Sequence, residues 1–218
     1  MYYGPKIVTN GLVLALDAAD KNSYPGTGTT WNDLSGNAYN GTFGTSTQTP
    51  TFSNINGGTI LFDGSNDIVE VTSNLGTMSA YTLMFWARRD AESRMPVSAR
   101  TTTNFYWFGD NSWYYTHGGV GGEYYYSKPT SIPTGTWGCY CVVYNGSNVS
   151  IYRQGVYQGQ QATTGTANWS AGLLIGYWVG GSTYAWQGPI SIIMMYNRGL
   201  TATEVLQNYN ATKTRFGL

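Results

Sequence analysis

Short apolar runs with a two-residue period recur from one end of this chain to the other, and Gly/Asn/Ser/Thr clusters cut each of them off. That pattern suits β-strands, whose successive side chains point to opposite faces, and does not suit long helices, which need apolar positions three and four apart. The runs are Leu12 to Asp17, Thr59 to Phe62, Ile68 to Val71, Tyr81 to Arg89, Phe105 to Phe108, Trp113 to His117, Trp137 to Tyr144, Val149 to Arg153, Gly172 to Tyr177 and Ile190 to Asn197. In the clearest of them Tyr81, Leu83, Phe85 and Ala87 fall on one face, and Thr82, Met84, Trp86 and Arg88 on the other. Asp63-Gly64-Ser65-Asn66-Asp67 reads as the turn of a hairpin between two runs, and Asp110-Asn111 as another turn. The stretch from Asn22 to Asn56 is polar and Gly-rich, interrupted by Trp31, Leu34 and Phe43.

One helix is expected, near the end. Thr201 and Glu204 have capping-box spacing, and Val205, Leu206 and Tyr209 supply an apolar stripe. The expected architecture is therefore all-β: a two-sheet antiparallel β-sandwich, or jelly roll, with one short C-terminal helix. No internal repeat or linker breaks it, so residues 1–218 read as a single domain with residues 1–10 as a short N-terminal arm.

Composition narrows the function. Charged residues make up 10% of the chain, Lys+Arg 11 against Asp+Glu 11, so there is no basic stripe for a phosphate backbone and no nucleic-acid partner is expected. Tyr 19, Trp 8 and Phe 7 are far too many for a disordered chain. Cys139 and Cys141 lie two residues apart on one side of a strand, where a mutual disulfide is geometrically poor, and read as free buried thiols. Leu12 to Leu16 is too short for a signal peptide's apolar region, and no run is long enough for membrane insertion by a helix.

Several segments together resemble the laminin G-like branch of the concanavalin A-like lectin/glucanase superfamily. They are Gly11-Leu12-Val13-Leu14-Ala15-Leu16-Asp17-Ala18 with Ser23 to Asn37 after it, Ile60 to Val69, Tyr81 to Ala87, and Gly188-Pro189-Ile190 followed by Met195 to Thr201 and Glu204-Val205. The opening segment is similar to stand-alone lectin-like proteins of marine tailed phages. The resemblance implies a jelly roll and activities ranging from glycan binding through adhesion to glycoside hydrolysis. It also implies, for many members, one rim-bound calcium held by Asp and backbone oxygens. Asp33, Asp63, Asp67 and Asp110 are the candidates for such a structural Ca2+, the alternative being turn residues that bond their own backbone. No other cofactor is required.

The chain departs from the family where Ile192-Ile193-Met194-Met195 replaces a strand with a charged outer side. A strand apolar on both faces must be covered on both, by the chain's own helix and loops or by another subunit; in the second case Ile192 and Met194 form an interface.

Hydrolysis of a glycoside needs two carboxylates flanking the bond, roughly 5 to 9.5 Å apart. Glu70, Glu123 and Glu204 have no acidic neighbour two residues away; Glu92 has Asp90, but no glutamate opens the Glu-x-Asp-x-x-Glu cluster that hydrolases of this superfamily carry on one strand. The one histidine, His117, has no nucleophile motif near it, so the chain is expected not to be an enzyme. Aromatic clusters carry the binding expectation, because sugar C–H faces pack on rings while Asn, Ser and Tyr edges bond hydroxyls. The candidates are Trp107, Trp113, Tyr115, His117, Tyr125, Trp178 and Tyr184. The reading that follows is a virion structural or decoration protein on a phage capsid or tail. It would contact other virion proteins, copies of itself and glycans; the alternatives are a purely structural subunit and a divergent glycosidase. Made in the host cytoplasm and released by lysis, such a protein would need no signal peptide.

Overall fold

The computed structural model describes residues 5–92, 94–101 and 133–218, together with the backbone of 105–108, 112–115 and 124–127. In chain order the strands are β1 (Leu12–Asp17), β2 (Thr30–Trp31), β3 (Gly41–Phe43), β4 (Thr51–Ser53), β5 (Thr59–Asp63), β6 (Val69–Val71), β7 (Thr77–Met78), β8 (Tyr81–Arg88) and β9 (Arg94–Ala99). They continue as β10 (Phe105–Phe108), β11 (Ser112–Tyr115), β12 (Tyr124–Ser127), β13 (Trp137–Tyr144), β14 (Asn148–Arg153), β15 (Val156–Ala162), β16 (Ala167–Asn168), β17 (Leu173–Ile175) and β18 (Gln187–Tyr196). Helix α1 spans Ala202–Thr212.

These strands form two antiparallel sheets. The first runs β15-β14-β13-β8-β18-β5-β4, with β1 also paired to β18; the second runs β12-β11-β10-β9-β17-β6-β3-β2. A short third pair joins β16 to β7. The jelly-roll sandwich expected from the two-residue period is what forms. Its central core draws Tyr81, Leu83, Phe85 and Ala87 from β8 against Val97, Ala99, Leu173 and Ile175 of the second sheet. Trp31 and Phe43, from the polar stretch, also lie in that core on β2 and β3.

Asp63 to Asp67 is not a hairpin turn. β5 pairs with β4 and β18 in one sheet, and β6 pairs with β3 and β17 in the other, so the segment carries the chain across the sandwich. The turn chemistry is as expected, since Asp63 Oδ1 accepts from the Ser65 and Asn66 amides. Asp67, buried at the crossing, accepts the Asp63 amide on Oδ2.

The outer face of the first sheet is apolar too. Met84, Trp86, Cys139, Cys141, Ile192, Met194 and Tyr196 form a second buried cluster with Val8, Leu200, Val205 and Phe216. Ile192 and Met194, considered above as an intersubunit surface, are only 4% and 2% exposed beneath the chain's own C-terminal helix and N-terminal arm. Pairing of β18 with β8 shifts register between Ile190 and Ile192. Ile190, Ile193 and Met195 therefore face the central core, while Ile192, Met194 and Tyr196 face outward, which explains four consecutive apolar residues.

The cover is specific. The Trp86 ring stacks on Phe216 at 4.0 Å between centroids, and its Nε1 donates to Thr212 Oγ1. Asn208 ties the arm down by accepting the Val8 amide and donating to Tyr196, whose hydroxyl donates to the Val8 carbonyl. Thr201 and Glu204 form the expected capping box at the start of α1, and Arg198 clamps Glu204 through both carboxylate oxygens. Both cysteines are free and buried in this layer, where burial pushes their thiols up.

Candidate functional site

With β8, β13 and β18 covered on both faces, the loops at the ends of the sandwich are surfaces where a ligand could make contact. The loop from Gly176 to Trp186 stands at one end. Its base is closed by backbone bonds from Gly176 to Pro96 and from Trp186 to Gly176. Gly176 has φ +79, and a Cβ there would run into the Phe62 ring, so only glycine lets the loop leave the sheet at this point. Ser98 Oγ donates to the Tyr177 carbonyl, fixing the loop against β9.

Within this loop Trp178 and Tyr184 are half-buried, their ring centroids 6.0 Å apart at 51°. The indole lies over Gly180, where a Cβ would collide with it. Two rings are thus held on a braced loop while keeping part of their surface in solvent, an arrangement suited to packing on an apolar ligand face. Trp186, in the same aromatic group of the sequence, is fully buried in the central core.

Trp107, Trp113, Tyr115 and Tyr125 lie on strands β10, β11 and β12, described by backbone alone. Their register sorts them into two alternating sets. Trp107 pairs with Tyr114 and Tyr114 with Tyr125, whereas Tyr106 pairs with Tyr115 and Phe108 with Trp113. Phe105 pairs with Ser98 and Tyr106 with Val97, a core residue. By alternation with Phe105 the Trp107 and Tyr125 positions fall in the set of Ser98, which bonds the Trp178 loop, and Tyr115 in the set of Val97; the register shifts before Phe108, the partner of Trp113, which pairs with Arg94. His117 lies outside the described residues.

The carboxylates are mostly engaged. Among the described glutamates, Glu70 pairs with Arg100, Glu92 with Arg89 and Glu204 with Arg198. Glu123 lies outside the described residues. Asp33 accepts the Ala15 and Ser35 amides on Oδ1, and the Ser35 hydroxyl and Tyr39 amide on Oδ2. Asp63 and Asp67 line a groove of about 390 Å3 beside Gln187, together with Asp90, which is held by both nitrogens of an Arg88 fork. Burial raises the Asp67 carboxyl. Among the described residues no three acidic, His or Cys groups converge as a metal cluster, and Asp33 and Asp63 are placed as turn residues whose oxygens serve backbone donors. Asp110 lies outside the described residues.

Solved structures share this architecture. The binding domain of Paraclostridial mosquitocidal protein 1 aligns with TM-score 0.73 at 14% identity, over 93% of this chain and 52% of that one. Domain 4 of AbnA, a GH43 extracellular arabinanase from Geobacillus stearothermophilus in complex with arabinotriose, aligns with TM-score 0.69 at 16% identity, over 91% of this chain and 98% of that one. The botulinum neurotoxin serotype D ligand binding domain in complex with N-acetylneuraminic acid gives TM-score 0.70 at 12% identity, over 93% and 51%. This chain thus spans about half the length of the mosquitocidal and neurotoxin chains. No curated protein sequence matches it. A family model does match, over residues 63–206, and on that match together with the fold the chain belongs to the Laminin_G_3 family of the concanavalin A-like lectin/glucanases superfamily.

Proposed function

We propose that the chain is a non-catalytic glycan-binding domain whose contact surface is the Trp178 loop and the adjoining outer face of the second sheet. The observation that carries this reading is the Trp178–Tyr184 ring pair, held half-exposed on a loop pinned at Gly176 and Ser98. Support comes from the register, which puts Trp107 and Tyr125 in the set of Ser98. Further support comes from two fold neighbours bound to arabinotriose and N-acetylneuraminic acid. The absence of catalysis is supported by the ion pairs that neutralise the described glutamates.

A glycan array, followed by titration of the best hit, tests this. Trp178→Ala or Tyr184→Ala should weaken binding at least about tenfold, since truncating an anchoring aromatic costs roughly 2 kcal/mol. Added salt should change little, because the chain carries no net charge. Unchanged affinity in both variants would remove the loop from the contact surface.

The finer reading is a decoration or structural protein of a phage particle. It rests on the opening segment Gly11 to Asn37, which lies outside the matched stretch, and on the low charge, which leaves little repulsion between crowded copies. Edge strand β15 favours self-association as well: it carries no charged residue, and Val156 and Tyr157 are 59% and 49% exposed. Mass spectrometry of purified particles is the test; absence of the chain from them refutes the virion role and leaves glycan binding standing.

A further inference from the structure

The structure assigns a second ligand site, an uncharged saccharide groove at the opposite end of the sandwich from the Trp178 loop. It has a volume of about 500 Å3, inside the usual range for small-molecule sites. Gln187 at the start of β18 stands by the Trp178 loop, and Asn197, just past its end, lines this groove. Ten strand residues separate them, roughly 30 Å.

Its lining is chemically one-sided. Asn37, Tyr39, Thr77, Ser79 and Asn197 offer amides and hydroxyls, Leu75 and Met78 give an apolar floor, and no charged side chain takes part. The Tyr39, Thr77 and Ser79 hydroxyls and the Asn197 side-chain amide form no hydrogen bond with any described residue, whereas the Asn197 backbone N–H donates to the Gly11 carbonyl. These groups are thus not used to hold the fold. An anion or cation would find no counter-charge here, and a purely apolar ligand would strand the amides. A polyol with C–H faces and hydroxyl edges meets both requirements. The fitting class is a neutral mono- or disaccharide unit.

The wall is also built with care by the backbone. Residue Val13 sits at a bulge in β1, and its carbonyl accepts from both Ser35 Oγ and Asn37 Nδ2. Ala38, between two lining residues, has φ +58, a left-handed conformation that a non-glycine residue adopts at some cost. Asp33 holds the strained turn from below: it accepts the Tyr39 amide, while Asn40 accepts the Asp33 amide. Asp33 is therefore a positioning residue for the groove. On the other side, pairing of β7 with β16 fixes Thr77 and Met78.

This site uses none of the residues of the Trp178 surface, so the two stand or fall separately. The test uses the full chain carrying Trp178→Ala and Tyr184→Ala together, probed by ligand-observed NMR with uncharged oligosaccharides at millimolar concentration. The double variant should still bind at least one of them. Adding Ser79→Glu, at an exposed rim position, or Asn197→Ala should weaken that binding at least about tenfold, with the folded NMR spectrum retained. Tyr39→Ala should do the same. No uncharged oligosaccharide bound by the double variant, or binding indifferent to Ser79→Glu, Asn197→Ala and Tyr39→Ala, would overturn the groove. The Trp178 surface is judged independently, by comparing the wild-type chain with the Trp178→Ala and Tyr184→Ala single variants.

Discussion

Replacing Glu204 with glutamine removes the charge that locks α1 over the outer face of the first sheet. The carboxylate accepts both arms of the Arg198 fork, at 2.9 and 2.6 Å, and the Thr201 amide at 2.8 Å. These partners, the Arg198 guanidinium first, hold its carboxyl down from an ordinary 4.5 to about 2. Taken whole, that depression corresponds to roughly 3 kcal/mol. The Arg198 and Glu204 side chains are 29% and 26% exposed, however, so solvent screening reduces the contribution to about 1 to 1.5 kcal/mol. Glutamine keeps an oxygen for the Thr201 amide, so the capping box survives, while the charge and one of the two acceptors of the Arg198 fork are lost.

The sign follows from linkage. A carboxyl whose pKa is lower in the folded chain contributes stability that is complete above its unfolded value and disappears as pH falls through the folded value. Chemical denaturation of Glu204→Gln and the parent at several pH values should show a gap of about 1 to 1.5 kcal/mol near neutrality. The gap should close between 4.5 and about 2. A gap independent of pH, or one that widens on acidification, would refute the claim that the ion pair holds this cover.

Asp67→Asn should behave in the opposite sense. Burial raises the Asp67 carboxyl, so the folded chain holds that proton more tightly and the parent loses stability as pH rises through its folded pKa. The amide keeps an acceptor for the Asp63 N–H, and denaturation curves should show the variant matching the parent in acid and exceeding it near neutrality. Met194→Lys should unfold the chain, not merely release a partner, because an unpaired ammonium at a 2% exposed position costs at least about 4 kcal/mol; circular dichroism distinguishes the two. Gly176→Ala should cost at least about 2 kcal/mol, through its φ of +79 and the collision with Phe62, and should also weaken glycan binding by displacing the Trp178 loop. Thermal melts and titration on the same sample check both effects.

The two-residue period was enough to read the sandwich, and Thr201 with Glu204 was enough to place the helix, because both signals are local. The error at Asp63 to Asp67 has the same origin. Asx-turn residues reverse the chain equally well within one sheet or between two, and only the partners β4, β18, β3 and β17 decide which. Strands of two or three residues, such as β2 and β3, are too short to show a period, so Trp31 and Phe43 looked like interruptions in a loop. β15 escaped notice because Gln158, Gln160 and Gln161 mask its alternation. Trp178 and Tyr184 were legible as an aromatic group in the sequence; the neutral groove was not. Its walls come from β1, the Asn37–Tyr39 turn, β7 and the end of β18, and residues so distant in sequence share no pattern.

The run Ile192 to Met195 has a consequence for where recognition can occur. Once its outward members are buried, the central strands β8, β13 and β18 have no free face, and the cover that buries them is made of the chain's own N-terminal arm and C-terminal helix. Arg215 reaches Asp17 and Ser191, and Gln207 reaches the Lys6 carbonyl, so both described ends of the chain lie on this one side. The second sheet faces the other way. A ligand approaching its outer face therefore meets neither the arm nor the helix. Low charge fits this division, because neither surface proposed for sugar contact depends on an ion pair with its ligand. Apolar cover on one side and neutral polar and aromatic surface on the other are two outcomes of a single composition.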